Sequence, residues 1–180
     1  ETTIRELNQR LHDAADGGPQ NWRITHPNGV HAIGAGINAP LEIDIDGHVG
    51  YYCAGMNKEA NIRIHGSAGV GLAENIMSGT VIVDGDTSQS AAATGRGGLL
   101  VVRGNAAARC GISMKGVNIV VEGNVGHLSA FMAQKGALVV CGDAGEALGD
   151  SIYETHIYVR GSVAELGADC IEKDFKEFHT

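Results

Sequence analysis

Seven glycines set the frame: Gly47, Gly66, Gly85, Gly104, Gly123, Gly142 and Gly161 stand 19 residues apart, without one insertion or deletion. A fixed period of this length is the signature of a solenoid, in which each unit buries its apolar face only against its neighbours. Four residues before each glycine come Ile43, Ile62, Val81, Leu100, Ile119, Leu138 and Ile157. Two residues before come Ile45, Ile64, Val83, Val102, Val121, Val140 and Val159. Two wholly aliphatic positions, two residues apart, predict a strand with one buried face, and the β-branched second position suits a stacked, pleated sheet. Asp46, His65, Asp84, Arg103, Glu122, Cys141 and Arg160, directly before the glycines, are expected to face water.

The rest of the unit keeps phase too. Seven residues after the glycine come Ala54, Ala73, Ala92, Gly111, Ala130 and Gly149, and one position earlier come Cys53, Leu72, Ala91, Cys110, Ser129 and Leu148. Ala60, Gly79, Gly98, Val117, Gly136 and Thr155 follow thirteen after the glycine. Small residues in phase read as corners and close backbone approaches. A weaker eighth copy comes first: Trp22 to Asn28 aligns with Leu41 to Gly47, and Val30 to Asn38 with Val49 to Asn57. Asn28 then replaces the glycine at a left-handed corner.

A contour of roughly 60 Å for such a unit allows a three-sided rung of about six residues per side. The prediction is an all-β, right-handed parallel β-helix with short capping helices at both ends. Hexapeptide, leucine-rich and calcium-binding nonapeptide repeats fail on period or on chemistry. Residues 1–16 are expected to form the N-terminal capping helix, 17–166 the β-helix, and 167–180 a C-terminal capping or docking segment. Thr3 and Glu6 have capping-box spacing, and Ile4, Leu7 and Leu11 share a helical face. Ile171, Phe175 and Phe178 form a similar stripe at the other end.

A formal net charge of −8 argues against nucleic acid or an anionic membrane as partner, because both need a basic face. No apolar run approaches the length of a membrane span, and Thr2 to Ala15 reads as a charged amphipathic stretch rather than a signal peptide. The expected compartment is the cytoplasm. Cys53, Cys110, Cys141 and Cys170 are scattered and read as reduced, buried thiols.

No nucleophile with a base, carboxylate pair or metal cluster stands out, so the chain is assigned no catalytic, cofactor-binding or metal-binding residue. His48, His65, His127 and His156 fall at four different phases and read as surface or corner histidines. Gly34, Gly36 and Ala39 mimic a dinucleotide fingerprint, but they lie within the repeat and no helix follows. One feature exceeds what folding requires. Three positions before the glycines the series runs Asp44, Arg63, Ile82, Val101, Val120, Val139 and Tyr158, polar at first and then apolar over five rungs. By alternation Ile82, Val101, Val120, Val139 and Tyr158 point outward. They are either covered by the chain's own C-terminal segment or docked against another protein.

The motifs Gly66-Ser67-Ala68-Gly69-Val70-Gly71, Met77 to Gly85, Met114-Lys115-Gly116 and Gly123-Asn124-Val125-Gly126 resemble the glycine-repeat (GXGXG) β-helix of the glutamate synthase large subunit. A formylmethanofuran dehydrogenase subunit carries the same repeat. With the stretches Ile4 to Leu11 and Gly167 to Lys173, the chain is most similar to the small glycine-repeat subunits of N-methylglutamate synthases. That resemblance implies a non-catalytic scaffold subunit in the cytoplasm, bridging an amidotransferase-like subunit and an FMN-containing, glutamate synthase-like subunit. FMN and an iron–sulfur cluster are implied on a partner, none in this chain. The alternatives are a formylmethanofuran-dehydrogenase-like complex, or an autonomous enzyme using the corners of the β-helix.

Overall fold

The computed structural model describes residues 2–18 and 20–174. A helix α1 (Ile4–Asp13) and a single tight turn (Ala14–Asp16) precede eight strands: β1 (Asn21–Thr25), β2 (Glu42–Asp46), β3 (Asn61–Ile64), β4 (Thr80–Val83), β5 (Leu99–Val102), β6 (Lys115–Val121), β7 (Lys135–Val140) and β8 (Glu154–Val159). They form one sheet in chain order, every neighbour parallel. Each strand returns beside its predecessor after one turn of the chain, so the architecture is the parallel β-helix that the period predicts.

From β2 to β5 the partners are 19 residues apart, as in Ile43 with Ile62 and Val81 with Leu100. The first rung departs from this. Trp22 pairs with Ile43 and Ile24 with Ile45, so β1 sits two residues away from the alignment expected from sequence. Beyond the corner the expected phase returns: Gly50 N donates to Val30 O just as Gly69 N donates to Val49 O. The two extra residues are absorbed around His26, Pro27 and Asn28, where His26 (φ 55°) and Asn28 (φ 48°) are both left-handed. A shift of two leaves every side chain on its original face, which is why Trp22 and Ile24 still point inward.

The interior is one continuous stack. Ile62, Ile64, Val81, Val83, Leu100, Val102, Ile119 and Val121 are all 2% exposed or less. Each contributes roughly 1.5–3 kcal/mol by burial, and each lies against its equivalent in the next rung. The three sides of a rung are not alike, however. One is the sheet; a second has a single bridging residue per rung, running Val49, Ala68, Thr87, Ala106, Val125, Ala144 and Val163. The third bends through left-handed residues at alternate positions, as at Ser90 (φ 61°), Ala92 (φ 51°) and Thr94 (φ 57°). Left-handed residues cannot continue a strand, so sequence reasoning overestimated the extended content of two sides. The middle position of each triplet is fully buried in Ala54, Ala73, Ala92 and Ala130, which accounts for its small side chain.

The repeat glycines have a different cause. Of the seven, Gly47 alone has a left-handed φ, +136°. The others are held by what lies over them. A Cβ on Gly123 would meet Asn105 Oδ1 at 2.5 Å and Gly104 O at 2.7 Å, and one on Gly85 would meet Ser67 Oγ at 2.5 Å. The residue after each glycine folds back over the glycine of the next rung, and only a hydrogen atom fits between them.

The N-terminal end is closed as expected. Thr3 and Glu6 exchange capping-box hydrogen bonds, and Leu11 is fully buried against the first rung. Asn8 Nδ2 donates to Ala32 O at 2.8 Å, and Gly34 N donates to Asn8 Oδ1 at 2.9 Å, so α1 satisfies backbone groups that no earlier rung can reach. A C-terminal capping helix is not found among the described residues. Residues 171–174 carry no helix, and Ile171 is 70% exposed rather than packed. Phe175 and Phe178 lie outside the described residues.

Candidate docking face

The outward side of the sheet divides along its length. Ile82, Val101, Val120, Val139 and Tyr158 are in register on β4 to β8, and each is half-buried. Their strand neighbours Val81, Val83, Leu100, Val102, Ile119 and Val121 are fully buried from the opposite face. Alternation therefore places the row as sequence reasoning expected, and five rungs at about 4.8 Å carry it over roughly 19 Å.

At the other end the same outward positions are charged and mutually paired. Arg23 Nε lies 2.7 Å from Asp46 Oδ2. Arg63 reaches Asp84 Oδ1 at 3.1 Å, and Arg103 reaches the same oxygen at 3.2 Å. The His65 ring nitrogens lie 2.7 Å from Asp44 Oδ1 and 2.9 Å from Asp84 Oδ2. Only a doubly protonated ring can donate to both carboxylates. Hydrogen bonds to Asp44 and then Asp84 accordingly hold the His65 pKa above its ordinary value. Burial pushes the Asp84 carboxyl up, but hydrogen bonds from Arg63 and His65, with the charges of Arg63 and Arg103, outweigh it and hold the group below the usual range. Asp84 thus departs from the expectation of a free, water-facing carboxylate: it is the hub of a network that spans four rungs.

The other candidates stay apart. His48 Nδ1 accepts from Ser67 N at 2.9 Å, a structural contact between rungs, and His156 stacks on Tyr158. Cys53 and Cys110 are fully buried free thiols, whereas Cys141 and Cys170, expected to be buried as well, are only partly so; desolvation pushes Cys53 and Cys110 up to about 12, well away from thiolate reactivity. Gly34 (φ +66°) and Gly36 (φ +74°) are corner residues of the first rung. Among the described residues, no group of three or more His, Cys, Asp or Glu is arranged to hold a metal ion, and no helix is long and apolar enough to cross a membrane.

Sequence reasoning missed one ladder. The residues following the repeat glycines bond rung to rung: Asn105 N donates to Asp86 Oδ1 (2.7 Å), Asn124 N to Asn105 Oδ1 (2.9 Å), Asp143 N to Asn124 Oδ1 (2.8 Å) and Ser162 N to Asp143 Oδ1 (2.7 Å). The contact to Ser162 N holds the Asp143 carboxyl below its usual range. The signal was present: His48, Ser67, Asp86, Asn105, Asn124, Asp143 and Ser162 are all short polar side chains or histidine at a single phase.

No family model matches the chain, and no solved structure does. Among curated proteins it is similar to Protein GlxC of Rhizobium meliloti (strain 1021), with 58% identity over 83 residues. The matched stretch is 46% of this chain and 36% of that protein, so the chain spans little more than a third of its relative's length.

Proposed function

We propose that this chain is a non-catalytic scaffold subunit of a glutamate-synthase-like, multi-subunit enzyme. The observation that carries the reading is the outward row on β4 to β8: an apolar stripe over five rungs adds nothing to the interior of the β-helix and suits a protein surface. The identity to Protein GlxC and the glycine-repeat motifs support the coarser, glutamate-synthase-like assignment. The finer proposal is N-methylglutamate synthase, in which methylamine and glutamate give N-methylglutamate and ammonia. The chain would hold an amidotransferase-like subunit and an FMN-containing synthase subunit in register, with flavin and iron–sulfur chemistry on the partner.

Purification of the complex through a tag on this chain, from its native host, tests the proposal. The expected result is two partner chains of those types, bound FMN and iron, and formation of N-methylglutamate from methylamine and glutamate. Molybdenum or tungsten in place of flavin would point to a formylmethanofuran-dehydrogenase-like complex. Turnover by the isolated chain would contradict a scaffold role.

A further inference from the structure

Two sets of cations border the sheet. Along the rungs of β1 to β5, Arg23, Arg63, His65 and Arg103 each lie against a carboxylate. Arg96, Lys115 and Lys135 do not. They enter β5, β6 and β7 on three successive rungs, all exposed, and among the described residues none makes an ion pair or a side-chain hydrogen bond. Lys115 and Lys135 are register partners in adjacent parallel strands. Like charges directly opposite one another weaken a sheet.

Folding does not explain this arrangement. Lysines commonly protect an edge strand from unwanted pairing, but β6 and β7 lie inside an eight-stranded sheet. Nor does bulk composition explain it, since 21 acidic residues against 13 Lys and Arg leave ample carboxylate elsewhere. Glu154, which follows Lys135 in register, makes no ion pair with it. The basic row lies along the strand entrances of the same rungs that carry Val101, Val120 and Val139. An apolar stripe and an unneutralised basic row, side by side along one rod, have a definite complement.

Resting on the docking reading above, we infer that the face of β5 to β7 binds a protein element with an apolar stripe and a parallel row of Asp or Glu side chains. The stripe seats on Val101, Val120 and Val139, and the carboxylates meet Arg96, Lys115 and Lys135. The basic row sets which way round the partner lies and accelerates its encounter, as charged rims do.

The test uses the native complex recovered through this chain. A zero-length carbodiimide joins a lysine amine to a carboxylate already in contact with it, so Lys115 or Lys135 should become linked to an Asp or Glu of a partner chain. The Lys115→Glu/Lys135→Glu variant, which exchanges one exposed like-charge pair for another, should melt within a few degrees of wild type. It should bind the partner at least tenfold more weakly at low salt, the difference shrinking as salt rises. Wild-type binding by this double variant, with Val120→Lys defective, would overturn the inference and leave the docking face standing. Binding unaffected by either change would remove both. Loss of association on nuclease treatment would show that the basic row holds nucleic acid, and the inference would fall.

Discussion

The two halves of the sheet are built alike inside and differently outside. Rungs at β2 and β3 bury Ile43, Ile45, Ile62 and Ile64, and rungs at β5 and β6 bury Leu100, Val102, Ile119 and Val121, all to within 3% exposure. Outward, the first pair presents Asp44 and Arg63, drawn into a network through His65 and Asp84. The second presents Val101 and Val120 beside the unpaired Arg96 and Lys115. One interior serves both exteriors, so the outward face is free to vary without altering the fold. On the outward face the N-terminal rungs set Arg23, Asp44 and Arg63 against opposite charges, whereas Arg96, Lys115 and Lys135, beside Val101, Val120 and Val139, have no ion pair among the described residues.

If the interior is one continuous stack, disrupting it in the second half should unfold the whole rod. Val102→Asp or Val121→Asp places a charge with no partner in a fully buried stack, at a cost of several kcal/mol. The expected outcome is loss of soluble, cooperatively melting protein, checked by circular dichroism; melting like wild type would contradict the assignment of faces.

A smaller effect is expected where rungs approach most closely. Gly123→Ala puts a Cβ at 2.5 Å from Asn105 Oδ1 and 2.7 Å from Gly104 O, and backbone must shift to admit it. Overpacking of this kind destabilises by about 1–3 kcal/mol. Denaturant titration of the variant measures it, and a change near zero would mean that the polar ladder does not require the glycine.

The smallest effects belong to the charged exterior. Asp84→Asn removes the partner shared by Arg63, His65 and Arg103. It should destabilise by roughly 1 kcal/mol, the exposed members limiting the gain, whereas Glu122→Gln, on an exposed position, should change stability by less than about 0.5 kcal/mol. The pH dependence has a definite sign. His65 is raised in the folded chain, so its contribution is whole below the unfolded value near 6.5 and is lost as pH rises through the folded one. Asp84 is lowered, so its contribution is present above the unfolded value near 3.9 and is lost as pH falls through the folded one. The margin of wild type over Asp84→Asn, followed by denaturant titration across pH, should be widest in mildly acidic solution and narrow above neutrality.

Much of this was legible before any coordinates. A rigid period and two aliphatic ladders are local statements repeated seven times, so strand positions, inward faces and the outward row could be read directly. What could not be read depends on geometry between rungs. The two-residue offset of β1 against β2 hides in a terminal unit whose glycine is missing. The alternating left-handed side leaves only a scattered glycine signature, at Gly34, Gly71, Gly111 and Gly149, because ordinary residues such as Ser90, Ala92 and Thr94 are held in the same conformation on other rungs. Pairing of Asp84 with Arg63, His65 and Arg103 needs contacts between residues about one rung apart, and a phase-by-phase reading along the chain treats each of them as a lone solvated charge.

The central claim is that the outward row serves assembly rather than folding, and Val120→Lys tests it most directly. Val120 is the middle member of the row, half-buried between Val101 and Val139. The measurement pairs thermal melting of the isolated variant with its affinity for the partner subunits, alongside Asp44→Lys in the polar half as control. The account predicts a melting temperature within a few degrees of wild type and association weaker by about 2 kcal/mol or more for Val120→Lys, with Asp44→Lys binding normally. Unfolding by Val120→Lys would instead place the row within the chain's own packing. Unchanged folding together with unchanged affinity would contradict the docking face altogether.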